Sequence, residues 1–397
     1  MKSDSLNARF YRDLLRSGRQ FIVDRKSTNG KTIVAGYHWF ADWGRDTMIA
    51  MRGLTISTGN QQTSRSILET FFQSIDQGMI PNRFPDHTDD KIEYNTIDAT
   101  LWLFVATYEY YLKFEDADFI TQKILQLKNI IDCHIAGTRH QIHVTSEGFL
   151  FGGKDGTQLT WMDAKVDDIA VTPRIGCPVE INALWYNALK IFVFFNRELG
   201  LSIDAQHAEL INRFESNFER FFINDDGTLY DVVVPGISVD KSLRPNQLFW
   251  LSLPFSFLSQ EQEQKIFEAV KEKLYTPYGL RTLDPDHEKF EATYQGGIWQ
   301  RDHAYHQGTV WPFLLFDYFQ AFFKLHGADP ANKKQVVNEL AALRTHFYSE
   351  QGIHCLSEVF DGQNPKAGKG CIHQAWSVGA IIKLYTDYQL YEIDASP

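Results

Sequence analysis

Cysteine is scarce in this sequence: Cys133, Cys177, Cys355 and Cys371 are the 4 among 397 residues, far apart and without a Cys-x-x-Cys spacing. That spacing excludes a disulfide framework and a zinc site and leaves buried free thiols as the expectation. Long apolar runs are missing as well. The strongest, Ile191 to Phe195, is far too short to cross a bilayer. Met1 to Arg25 is polar and carries both charge signs, without the apolar stretch of a signal peptide. Positive charge is in deficit, with 39 Lys and Arg against 50 Asp and Glu and a formal net charge of −11. Such a field repels phosphate backbones and anionic lipid, so neither nucleic acid nor membrane is an expected partner. A soluble cytoplasmic protein with an uncharged substrate is the expectation. No Gly/Ser linker divides the chain, so residues 1–397 read as one domain.

Several cofactor and catalytic signatures are also lacking. Gly152-Gly153-Lys154-Asp155-Gly156 has neither the spacing nor the hydroxyl residue of a phosphate-binding loop. Asp86 to Glu93 holds four acids but no central glycine, so a solvated loop is expected rather than a calcium site. His303 and His306 could share a helix face, yet no third ligand stands at metal spacing. No serine sits in Gly-x-Ser-x-Gly. No cofactor and no metal are expected.

What the chain has in excess is aromatic side chains: 30 Phe, 17 Tyr and 9 Trp. Tryptophan and tyrosine join an apolar face to a hydrogen-bonding edge, which suits either a core with polar handles or a site for a flat, hydroxylated ligand. Apolar residues at helical spacing mark about twelve helices, near 5–18, 46–58, 61–77, 96–113, 116–136, 179–199, 204–223, 245–258, 259–274, 307–326, 332–348 and 374–388. From the second on they alternate. The third, fifth, seventh, ninth and eleventh are amphipathic, as surface helices are, and the even-numbered ones are apolar on most sides. This alternation predicts six hairpins closed into an inner and an outer ring, an all-α (α/α)6 barrel with short β pieces in its loops. An open solenoid would need polar capping helices, which the sequence lacks.

Each even-numbered helix is introduced by polar and aromatic residues. These clusters are Trp43 to Thr47, Tyr94 to Asp98, Trp161 to Lys165 with Glu180 and Asn182, Arg244 to Gln247, Arg301 to His303 with His306 to Gly308, and His373 to Trp376. In a ring of parallel inner helices the clusters converge on one bowl. Each taken alone reads as an ordinary N-cap. Six on alternate helices, containing Arg and Trp, read better as a sugar site. Glycosidic cleavage needs two further carboxyl groups. Asp163, beside Trp161, is the first choice for the acid, because apolar flanks raise a carboxyl pKa. Glu358, among apolar neighbours one loop before the last inner helix, is the best second group. Glu180, Asp302 and Asp361 are rivals that spacing does not rank.

These motifs resemble the C-terminal amylo-α-1,6-glucosidase domain of glycogen debranching enzymes, from about Phe10 to Tyr388. The carriers are Ala35 to Phe40, Trp43-Gly44-Arg45-Asp46-Thr47, Tyr94 to Ala99, Thr160-Trp161-Met162-Asp163-Ala164, Pro178 to Asn187, Arg244 to Gln247, His306 to Pro312 and Ser357 to Gly362. The resemblance implies the same barrel and hydrolysis, with inversion, of the α-1,6-linked glucose left at a trimmed glycogen branch. It puts the acid on Asp163, the base on Glu358, and sugar binding on Arg45 and Asp46. The full expected binding set adds Trp39, Trp43, Asp98, Trp161, Lys165, Glu180, Asn246, Arg301, His306, Gln307, Trp311, Gln374 and Trp376. The sequence begins almost at the barrel, without the N-terminal β-rich domain of bacterial forms or the glucanotransferase domain of eukaryotic ones. A branched α-glucan is then the expected partner, with other glycogen-degrading enzymes or a separate N-terminal domain beside it. The alternatives are an exo-glycosidase for a small oligosaccharide or glycosylated metabolite, and a catalytically silent glucan-binding module.

Overall fold

Residues 5–84 and 91–393 are described, in a computed structural model of the chain. The acidic stretch from Asp86 lies largely outside them. The described residues form fourteen α-helices: α1 Leu6–Gly18, α2 Gly44–Met51, α3 Gln61–Gln73, α4 Asp98–Phe114, α5 Ala117–Ala136, α6 Val179–Glu198, α7 Ala205–Phe222, α8 Phe249–Ser252, α9 Gln260–Lys273, α10 Ile298–Tyr305, α11 Leu315–His326, α12 Pro330–Glu339, α13 Ala341–Ser349 and α14 Ala375–Asp387.

Six of them close a ring, in which α2 packs on α4, α4 on α6, α6 on α8, α8 on α11, α11 on α14, and α14 back on α2. Closure settles the choice between barrel and solenoid. The outer layer follows, with α1 on α14, α3 on α4, α5 and α7 on α6, and α9 and α12 on α11. Where α2 continues as a π-helical turn, Arg52–Ser57, a Cβ on Gly53 would lie 1.8 Å from the Gly379 carbonyl oxygen of α14. The two backbones touch there, and only glycine fits.

The helix starts differ between the two rings. Ser5, Asn60, Asp116, Asp204, Ser259 and Asp329 cap α1, α3, α5, α7, α9 and α12 through their side chains. None of α2, α4, α6, α8, α11 and α14 has a side-chain cap. The polar clusters before the inner helices are therefore not caps, and their side chains are directed elsewhere.

Three segments depart from the periodicity. The helix expected over 245–258 is a 3₁₀ turn, Pro245–Leu248, and the short α8, because Leu253 before Pro254 is extended. The one expected over 307–326 starts late: Val310–Trp311 is a strand, and Pro312 opens a 3₁₀ turn before α11. The one over 332–348 divides at Leu340 into α12 and α13. Helix α10 was not expected at all, since its apolar Ile298 and Trp299 face outward. Of the thiols, Cys177 and Cys371 are buried, while Cys133 and Cys355 are only partly so.

Short antiparallel strands bring distant loops together at the helix starts. Gly36–Tyr37 pairs with His373–Gln374. Tyr275–Thr276, Gly279–Arg281, Val310–Trp311, Val359–Phe360 and Gly368–Lys369 form one sheet in which Val310 faces Phe360. That pairing brings the chain just before Val359, which carries Glu358, to the strand of Trp311.

Candidate active site

A cavity of about 140 Å³ opens at this end of the barrel, lined by Phe40, Trp43, Arg45, Asp46, Trp161, Asp163, Tyr305, Trp311, Glu358, Gln374 and Trp376. The start of α2 supplies Arg45 and Asp46, and the start of α14 supplies Gln374 and Trp376. The five-stranded sheet supplies Trp311, and the residue just before its strand Val359–Phe360 is Glu358. Trp161 packs edge-on against Trp311, with ring centroids 5.5 Å apart, and Trp311 against Trp376 at 5.7 Å. Trp376 Nε1 and Gln374 Oε1 are buried without a hydrogen-bond partner in the protein.

Arg45 organises the charge. Its side chain is 4 % exposed, and it donates from Nε to Asp98 at 2.7 Å and from Nη1 to Asp163 at 2.9 Å. Asp98 is 2 % exposed at its side chain, whereas that of Asp163 is 37 % exposed, so only Asp163 meets the cavity. His306, buried behind it, stacks on Trp311 at 5.3 Å and holds Nε2 3.9 Å from Asp163. Burial alone would raise the Asp163 pKa, but Arg45 and His306 outweigh it and hold the carboxyl below its ordinary value. The sequence expectation that apolar flanks keep Asp163 protonated fails for this reason.

Glu358 is the opposite case. Burial pushes it up to about 7, against hydrogen bonds from the Tyr305 hydroxyl at 2.5 Å and the Cys371 N–H at 2.8 Å. A Cβ on Gly370, at φ +66°, would sit 2.3 Å from a Glu358 carboxylate oxygen, so glycine keeps the carboxylate in place. Burial likewise pushes Asp46, bonded by Gln374 at 3.3 Å, up to about 7. The site thus holds one carboxyl kept below its ordinary pKa by Arg45 and His306 and two that burial raises to about 7.

Of the expected site residues, the cavity wall contains Trp43, Arg45, Asp46, Trp161, Asp163, Trp311, Glu358, Gln374 and Trp376. The others are not part of it. Asp98 and His306 stand behind the wall, as supports for Arg45 and Asp163. Asn246 accepts from Trp161 Nε1 at 2.8 Å and so fixes the ring rather than a sugar. Glu180 is 1 % exposed and pairs with Arg174, which also pairs with Asp231. Gln307 accepts from Arg244 at 2.9 Å. Lys165 pairs with Asp168 on a hairpin, and Arg301 and Trp39 are exposed outside the wall. Asp302 and Asp361 also lie outside it, and Asp361 holds Lys369 at 2.6 Å. Phe40 and Tyr305 line the cavity and were missed. Each adjoins a residue that the motifs did mark, Trp39 and His306. Among the described residues no group of His, Cys, Asp and Glu could hold a metal ion, and no helix is long and apolar enough to cross a membrane.

The mannosylglycerate hydrolase of Thermus thermophilus has a similar fold, with a TM-score of 0.67 over 95 % of this chain and 100 % of that one at 13 % identity. A metal-independent α-mannosidase of Streptococcus pneumoniae gives a TM-score of 0.61 over 96 % of this chain and 93 % of that one at 16 % identity. The glycogen debranching enzyme of Saccharomyces cerevisiae is 24 % identical over 97 % of this chain, which spans 32 % of the yeast protein. The family model for amylo-alpha-1,6-glucosidase matches residues 16–383, a span that takes in five of the six inner helices, most of the sixth, and every residue of the cavity wall. The chain therefore belongs to that glycosidase family.

Proposed function

We propose that this protein is an inverting, exo-acting α-glucosidase that releases glucose from α-1,6 branch points of glycogen-type limit dextrins. The observation that carries the reading is the placement of Asp163 and Glu358 in one tryptophan-walled cavity of about 140 Å³. That is small against the roughly 300–1,000 Å³ of pockets for larger ligands. It suits one terminal ring, with the rest of the chain outside. Asp163 gives its proton to the glycosidic oxygen, and Glu358 takes one from the water that attacks the anomeric carbon. Arg45, Asp46 and Gln374 hold the hydroxyls of the ring. The trimmed branch itself must come from other glycogen-degrading activities. The test is incubation with phosphorylase-trimmed, transferase-treated limit dextrin. Free glucose should appear first as the β-anomer. Release from a disaccharide but not from the dextrin would overturn the branch reading in favour of a small substrate.

One observation favours a second assignment of roles. In the free site the proton rests on Glu358 rather than on Asp163, which suits Glu358 as acid and Asp163 as base. The proton distribution of the free site does not decide which group meets the leaving oxygen once the substrate is bound. α-Glucosyl fluoride does, because fluoride leaves with little need of an acid. With Asp163 as acid, Asp163→Asn loses roughly 10²–10⁴-fold on dextrin and far less on the fluoride, while Glu358→Gln loses both. The reverse pattern would exchange the roles.

A further inference from the structure

Helix α10 carries large apolar side chains that nothing in the barrel covers. Ile298 is 68 % exposed and Trp299 57 % exposed. The ring is held in a defined orientation, stacked on His303 one turn later with centroids 3.8 Å apart and planes 26° apart. His303 Nδ1 lies 2.7 Å from the Trp299 carbonyl oxygen, which fixes the second ring.

The same helix reaches the candidate active site. Its last residue, Tyr305, lines the cavity and bonds Glu358. Tyr294, in the segment leading to α10, has its ring 5.5 Å from that of Tyr305, and Glu358, Arg301 and Asp302 all act on its hydroxyl. Helix α10 also packs against the strand Lys165–Val166, which begins two residues after Asp163. At about 1.5 Å per residue, Trp299 stands about 9 Å along the axis from Tyr305. A ring in the cavity does not reach it.

We propose that the Trp299–His303 stack is the platform for the glucan chain on the leaving-group side of the cleaved bond, with Asp302, one turn on from Trp299, beside it for hydroxyls. This rests on the functional reading above and adds what selects a polymer over a small glycoside. The cavity recognises the terminal ring by tight enclosure. The platform recognises the chain by stacking on an apolar sugar face, which tolerates different branch lengths.

The test compares limit dextrin with α-glucosyl fluoride, which has no chain to place on α10. In Trp299→Ala the ratio of kcat/KM for dextrin to that for the fluoride should fall about tenfold, mainly through KM, as expected for losing about half the burial of a large aromatic side chain. Trp299→Phe keeps a stacking face and should restore most of the ratio. Both are exposed positions, so unchanged thermal unfolding is expected and checks the fold. A ratio unmoved in Trp299→Ala, or an equal loss on both substrates, overturns the platform. A wild-type protein that cleaves the fluoride and not the dextrin would instead overturn the functional reading beneath it.

Discussion

Arg45→Met is the sharpest test of how the site is held together. Methionine keeps much of the side chain's length and removes its charge. In the protein Arg45 is 3 % exposed and joins Asp98 and Asp163, with a weaker contact to the Leu159 carbonyl oxygen at 3.4 Å. Asp98 is 1 % exposed, and its second oxygen has no hydrogen-bond partner. Removing the guanidinium therefore leaves one carboxylate buried with no counter-charge. Breaking a buried pair from one side costs about 3–5 kcal/mol. With about 2.1 cal/mol/K of unfolding entropy per residue, that is a fall in Tm of about 4–6 °C for a chain of this length. The loss should depend on pH. Burial already holds the Asp98 pKa above its ordinary value despite Arg45, and without Arg45 it rises further. The folded variant then binds a proton that the unfolded chain has released. Its stability falls as pH climbs from the unfolded pKa, near 4, to the raised folded one, by up to about 1.4 kcal/mol per pH unit. Urea unfolding at pH 5 and pH 8 measures both effects. Asp98→Asn added to Arg45→Met should recover at least half of the loss at pH 8 and little at pH 5. A single-variant loss under about 1 kcal/mol, or one equal at both pH values, would refute the argument.

Four other substitutions test three separate steps. Tyr305→Phe removes a hydrogen bond that lowers the Glu358 pKa, which burial sets at about 7. If Glu358 must be ionised to act as base, the rising limb of kcat/KM against pH moves to higher pH, and a limb that stays put contradicts the base role. Gly53→Ala drives a Cβ into the α14 backbone and should destabilise by about 3 kcal/mol or more, read as a fall in Tm. Gly379→Ala places its Cβ 2.9 Å from the Ala50 carbonyl oxygen and should cost less, so equal effects would show that the helices can separate. Glu180→Gln weakens a pair with Arg174 outside the cavity and should lower Tm with KM unchanged. A raised KM at constant Tm would return Glu180 to the sugar.

The ring was legible because burial is periodic. Helices α4, α6 and α14 are apolar on nearly every side, while α3 and α7 are striped, and that difference survives in sequence without any knowledge of partners. The site was half legible for a related reason. An inner helix start that carries Arg, Asp and Trp where a cap should be is locally inconsistent, and the cavity wall draws Arg45, Asp46, Gln374 and Trp376 from such starts. Sequence does not report which side of a start a residue faces. Asp46 and Asp98 open inner helices in the same way, yet one lines the cavity and the other lies under Arg45.

Proton placement was harder still. It depends on Arg45, 118 positions from Asp163, and on Tyr305, 53 positions from Glu358. Both partners act across the barrel mouth, so neighbours in the chain carry no trace of them. Trp299 escaped for the opposite reason. Its helix has no buried stripe to announce it, and a side chain whose partner is a ligand rather than a core has no periodic signature. Function concentrates at positions where the folding pattern stops accounting for the residue. In this chain those positions are the uncapped inner starts, the opposite pKa shifts of Asp163 and Glu358, and the exposed apolar residues of α10.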